Sequence, residues 1–169
     1  MAKNFDPDSF QMNEDLVSVH LKAQTDAEVI TQLSNIFIDL GYVRPSFTAA
    51  AIGREETAPT GLPTPGLGTA VSHAEIEHTL KPGIAVGTLE KPVKFGQLGD
   101  PDNQIDISIV FMLSITQPKM QVYLLQSLIE IYKHESLLRK LHAATDPKII
   151  VEMVNAALMK VKSKNNSAV

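Results

Sequence analysis

The chain is predicted to fold as an α/β domain in three layers, a mixed central sheet flanked by helices. Three observations lead there. Strand-like segments alternate with segments of helical period. One segment, Ile105 to Ile115, alternates Ile105, Ile107 and Ile109 with Asp106 and Ser108, then becomes continuously apolar from Val110 to Leu113, the pattern of a strand covered on both faces. Three helical patterns then follow one another to the end, enough to cover a sheet face.

Each element has its own reason. Val17, Val19 and Leu21 alternate with Ser18, His20 and Lys22 after Leu16, a first strand. Thr25 and Glu28 form a capping box that opens a helix with Val29, Ile30, Leu33, Phe37 and Leu40 on one face, closed by Gly41. Pro45 suits the first turn of a second helix through Phe47, Ala50 and Ile52, with Arg54 and Glu55 near its end. Pro59, Gly61, Pro63, Pro65, Gly66 and Gly68 then predict an irregular loop. Two strands follow, Ile84 to Leu89 and Ile105 to Ile115, joined by turns at Lys91-Pro92 and Gly99 to Asn103. Pro118 opens a helix with Tyr123, Leu124, Leu128 and Tyr132 on a face. A short helix covers Ser136 to Ala143, and Asp146-Pro147 caps a third carrying Ile150, Met153, Val154, Ala157 and Val161.

Length and composition narrow the function. At 169 residues the chain fits one domain able to bury a real core, and 44% hydrophobic with 20% charged residues is ordinary for a globular fold. The division expected is a flexible segment 1–14, a domain 15–162 and a flexible tail 163–169. With no cysteine, thiol chemistry belongs to a partner. A net charge of −4 gives no footprint for nucleic acid, and Lys160, Lys162 and Lys164 read as the dipole-favoured end of the last helix followed by solvated residues. No secretory core or membrane-spanning run is present, so the expected compartment is the cytoplasm, with no direct membrane insertion.

Chemistry concentrates in Gly53 to His73, where a charged helix end, a Pro/Gly-rich loop and a small-residue segment lead to one histidine. A neutral imidazole nitrogen is a good nucleophile near its pKa of about 6.5, and an arginine can hold phosphoryl oxygens with a two-pronged hydrogen bond. His73 and Arg54 are the candidates. His73 could equally cap a strand end, and Arg54 could simply face a helix dipole.

These residues carry a family resemblance. Arg54-Glu55 after a helix, the loop Pro59-Thr60-Gly61, Thr69-Ala70-Val71 running into His73, the strand pair after it and the Gln117-Pro118 helix start resemble an enzyme IIA component of the bacterial phosphoenolpyruvate-dependent sugar phosphotransferase system, of the fructose/mannitol type. The likeness spans about Leu16 to Val161. His78 in HAEIEH and TQPKMQV place it nearest the galactitol branch. The resemblance implies a phosphohistidine carrier, His73 accepting a phosphoryl group from the phosphocarrier HPr and passing it to a cysteine of the cognate enzyme IIB, beside the permease IIC. In-line transfer between two nitrogens, and then from nitrogen to sulfur, asks mainly for positioning and for donors aimed at the phosphoryl oxygens, so no cofactor and no metal are expected. The chain departs from the family pattern at Ser72, where proline usually precedes the histidine, and at Lys119, where the mannitol and fructose branches carry a second histidine.

The remaining candidates have two readings each. His78 is a possible partner of His73 or a surface histidine, since a separation of five matches neither face of a helix nor of a strand. Lys119 docks phosphate at a helix N-terminus or is solvated. Thr57 and Thr60 donate to phosphoryl oxygens or form turns. A carrier that meets partners needs His73 in a shallow, open depression, for which Leu62, Leu67 and Val71 are candidate apolar rim residues. Two other functions share these residues: a metal-dependent hydrolase built on HAEIEH, although H-x-E alone is a weak signal, and a IIA-like regulatory module that reports phosphorylation state.

Overall fold

The computed structural model describes residues 6–7 and 10–168. Among these, five strands run as β1 (Val17–Leu21), β2 (Gly61–Leu62), β3 (Thr69–His73), β4 (Gly83–Gln97) and β5 (Asp100–Ser114). Five helices accompany them: α1 (Asp26–Asp39), α2 (Phe47–Thr57), α3 (Pro118–Tyr132), α4 (Glu135–Ala143) and α5 (Pro147–Ser167). Short 3-10 turns cover Glu14–Leu16 and Ile76–His78.

The sheet is mixed. β1 lies parallel to β4, β4 and β5 form an antiparallel hairpin, β5 lies parallel to β3, and β3 is antiparallel to β2. Gly61 of β2 also meets Gln97 at the far end of β4. Because side chains alternate along a strand, β5 feeds two cores at once. Ile109, Phe111 and Leu113 join Leu124, Leu128, Leu138, Ile150 and Val154 beneath α3, α4 and α5. Val110 and Met112 join Val29, Leu33, Phe37 and Phe47 beneath α1 and α2. This is the three-layer α/β arrangement expected, with β5 covered on both faces from Ile107 to Ser114.

Capping follows local chemistry. Thr25 Oγ1 accepts from Glu28 N at 3.2 Å, and the Glu28 carboxylate accepts from Gln24 N, one residue earlier than a standard capping box. Gly41 ends α1 at φ 75°, a left-handed conformation that costs glycine little. Asp146 accepts from Lys148 N, with Pro147 at the first helical position of α5.

Five expectations are corrected. Lys91-Pro92 makes no turn: β4 runs through it, the register slipping between Thr88 and Val93 so that exposed Pro92 needs no ladder bond. The reversal is confined to Leu98-Gly99, with Gly99 at φ 80°, and Asp100 to Asn103 are strand. The Pro/Gly loop contains β2. α2 begins at Phe47, after Pro45. Both chain ends hold more structure than polar composition suggests: the segment 1–14, expected to be flexible, falls partly on residues outside those described, but Met12 is buried and its N–H donates to Asn155 Oδ1 at 2.9 Å.

At the other end α5 continues through Ser167, because Lys160 and Lys164, one turn apart, both reach Glu130 on α3 (3.3 and 2.8 Å), joined by Lys133 at 3.1 Å. Lys164 first, then Lys133, hold the Glu130 carboxyl down to about 2. These lysines are therefore engaged across a helix pair rather than simply solvated. Val169 lies outside the described residues.

Candidate functional site

His73 is the last residue of β3, where the strand leaves the core. Thr69 through Ser72 are buried and His73 is half-buried, its backbone opposite Leu113 of β5. The parallel register from Thr69–Ile109 to His73–Leu113 therefore sets the height at which the ring emerges. Gly68 makes this approach possible, because a Cβ there would lie 2.0 Å from Asp106 O. Ser108 N and Ile109 N both donate to Gly68 O, which locks the start of β3 to β5.

The ring is polarised by its surroundings. Nδ1 lies 3.4 Å from Val71 O, and donation to that carbonyl places the lone pair on Nε2. Nε2 is buried with no hydrogen-bond partner. Burial first, and the Arg54 charge second, hold the His73 pKa below its ordinary value, against smaller opposing effects from Val71 O and Glu75. The side chain is a neutral imidazole at pH 7 with one free acceptor nitrogen.

Arg54 reaches the same place from the C-terminal part of α2. Its Nη1 donates to Glu75 Oε1 at 3.1 Å, while its Nε is buried without a partner. A hydrogen bond from its own N–H and then Arg54 keep the Glu75 carboxyl below the usual range. Arg54, His73, Glu75, Ile76, Ile115 and Gln121 line an open depression of about 350 Å³. Two residues of one concavity thus carry an unpaired donor and an unpaired acceptor, a pairing that suits an anion attached to the ring nitrogen and held by the guanidinium.

Other candidates are placed elsewhere. His78 Nδ1 is 2.8 Å from Ser46 Oγ, at the start of α2, and its Nε2 is 3.5 Å from Glu77 Oε1 within the 3-10 turn beyond β3. It does not line the depression. Thr57 Oγ1 donates to Gly53 O and Arg54 O, closing the end of α2. Thr60 N and Oγ1 both donate to the buried Glu55 carboxylate, whose pKa burial raises. Both threonines therefore do turn and loop work.

Lys119 is exposed on the first turn of α3, and the residue of that turn lining the depression is Gln121. The expected rim is corrected too. Val71 is buried in the core and Leu62 and Leu67 lie off the depression, whose apolar wall is Ile76 and Ile115. A second apolar cleft, about 250 Å³ between α3, α4 and α5, includes neither His73 nor Arg54.

Sequence reading missed Glu75 as the partner of Arg54, and Gln121. The available signals were an acidic residue two positions past the histidine and a polar residue in the first turn of the Pro118 helix.

Residues 10–157 match the family model described as phosphoenolpyruvate-dependent sugar phosphotransferase system, EIIA 2. The chain belongs to that family, a phosphotransferase component that carries its phosphoryl group on a histidine in sugar transport. It is similar to the galactitol-specific EIIA component of Escherichia coli K12, 31% identical over 102 residues covering 60% of this chain and 67% of the relative. It is also similar to the transcriptional regulator ManR of Bacillus subtilis, 30% identical over 100 residues, 59% of this chain and 14% of the relative. Its fold resembles the IIA chain in the complex of enzyme IIA mannitol with phosphorylated enzyme IIB mannitol from Escherichia coli. The TM-score there is 0.71 at 24% identity, covering 86% of this chain and 98% of that one. No helix among the described residues is long and apolar enough to cross a membrane.

Proposed function

We propose that His73 is the histidine that carries the phosphoryl group, through Nε2, and that Arg54 steadies it. One observation carries this reading: the acceptor Nε2 of His73 and the donor Nε of Arg54 are both buried without a partner, on two residues that line the same depression. A phosphoryl group on Nε2 brings oxygens to that donor, in a site where fixed donors stabilise transferring charge.

The donor is HPr. Its P–N bond breaks as the bond to Nε2 forms, and its ring, protonated on the other nitrogen, leaves as neutral imidazole. The Nδ1 proton of His73 stays against Val71 O, so no base acts. In the second step the bond from Nε2 to phosphorus breaks as a thiolate of the cognate IIB bonds phosphorus, and His73 returns to the neutral ring. These residues contain no cysteine, so that acceptor lies outside them. The mannitol IIA–IIB complex supports such a pairing by fold analogy, and the galactitol-specific relative supports a galactitol-like sugar taken up through a IIC permease. We place the chain in the cytoplasm, where these carriers meet.

The test is incubation with phosphoenolpyruvate, enzyme I and HPr. An acid-labile phosphate is expected, abolished by His73→Ala and kept by His78→Ala; labelling of His73→Ala would end the assignment. Similarity to ManR favours a second reading, a domain that reports phosphorylation state to another protein. Label that enters His73 but reaches no IIB cysteine would select it. The hydrolase reading finds no group of three or more His, Asp or Glu side chains placed to hold a metal among the described residues.

A further inference from the structure

The Arg54–Glu75 pair is half exposed, with side-chain accessibilities of 36% and 52%. Pairs this wet add little to fold stability, so the consequence of this one lies in what it positions. Glu75 takes Nη1 of the guanidinium at 3.1 Å and leaves the buried Nε–H without an acceptor. The charges around His73 are also unbalanced. Among the described residues lining the depression, Arg54 is the one cation, against Glu75 and Glu77. An incoming phosphoryl group adds about −1.5 to −2.

We infer that Glu75 is a positioning residue for phosphoryl transfer: it holds Arg54 by Nη1 so that Nε–H is left for the phosphoryl oxygens, and its carboxylate repels the bound group enough to keep it transferable. The inference rests on His73 as the carrier. Full neutralisation would stabilise phosphohistidine and slow its onward passage, because only interactions stronger in the transition state than in the bound state accelerate transfer. A carboxylate that anchors the guanidinium while opposing the phosphoryl group separates orientation from affinity.

Glu75→Gln and Glu75→Ala separate the two effects. Glutamine keeps an acceptor oxygen for Nη1 and loses the charge; alanine loses both. The equilibrium between phospho-HPr and the phosphorylated chain, and the rate of reaching it, are measured for wild type and both variants, with circular dichroism confirming the fold. Glu75→Gln is expected to shift the equilibrium toward the phosphorylated chain by roughly three- to tenfold, the size of one partly screened like-charge contact, with the rate within about threefold of wild type. Glu75→Ala is expected to reach equilibrium at least about tenfold more slowly. An equilibrium within twofold of wild type for Glu75→Gln, or equal rates for the two variants, overturns the inference. If wild type takes no label, the carrier assignment itself fails; if wild type is labelled and the variants match it, only the role of Glu75 fails.

Discussion

Arg54 is paired on one side only: Nη1 meets Glu75 at 3.1 Å, and Nε, buried, meets nothing. Lysine offers a single compact ammonium and cannot serve two acceptors in a fixed fork. Arg54→Lys is therefore expected to lower the rate of His73 phosphorylation by about 10- to 100-fold, the usual loss for one charge-stabilising donor. Its thermal midpoint should stay within about 2 °C, since the pair is exposed. Single-turnover labelling and a melt check both parts.

The lowered pKa of His73 makes a pH prediction with a definite sign. The unfolded chain binds more protons at this residue between the depressed native pKa and the ordinary value of about 6.5. His73 therefore favours the fold fully above about pH 6.5, and that contribution is lost as pH falls toward the native pKa. Denaturant midpoints for wild type and His73→Gln should converge at acid pH, wild type losing more as pH falls below about 6.5. The same shift keeps the acceptor nitrogen unprotonated to a lower pH than an ordinary imidazole.

Glu55 is a buried carboxylate whose oxygens accept from Thr60 N at 2.8 Å and from Thr60 Oγ1 at 2.9 Å. Glu55→Ala leaves the Thr60 donors without that partner, at an expected cost of about 1–3 kcal/mol in urea unfolding. Because Thr60 leads directly into β2, earlier proteolysis within residues 59–66 should accompany that loss.

Gly68→Ala puts a Cβ 2.0 Å from Asp106 O, a backbone atom that cannot swing aside. Strand β3 must move away from β5, so a loss of at least about 2–3 kcal/mol is expected. Labelling of His73 should fall with it even in the fraction that remains folded, because the register that sets the ring's height is disturbed.

Ser72 Oγ is fully buried and unpartnered beside the histidine. Removing an unsatisfied polar group from a core is neutral or stabilising, so Ser72→Ala is expected to change stability by 0 to about +1 kcal/mol. Phosphorylation of His73 in that variant should match wild type, which a labelling time course checks.

Much of the architecture was legible in the chain. β5 announces itself by changing from alternation to a continuous apolar run, and α1 and α5 by Thr25 and Asp146 at their starts. What stayed hidden depends on contacts distant in sequence. Pro92 looks like a turn until the slipped register of β4 shows how a strand carries it, and Lys160 and Lys164 look like a solvated tail until Glu130 faces them from α3. At the site, His73 and Arg54 were readable because their chemistry is distinctive. Glu75 and Gln121 were not, since only folding brings the end of α2, the end of β3 and the first turn of α3 together.

The pairing of His73 with Leu113 also imposes an order in time. A ribosome releases Arg54, the loop and His73 well before β5 exists, and a parallel neighbour cannot be replaced by a local hairpin. Until β5 has emerged and closed against both β4 and β3, the histidine sits on a strand with one side unsatisfied. A growing or truncated chain that stops short of Ser114 therefore holds every residue of α2, β2 and β3 and still has no depression for a phosphoryl group. Competence for transfer would arrive in one late step.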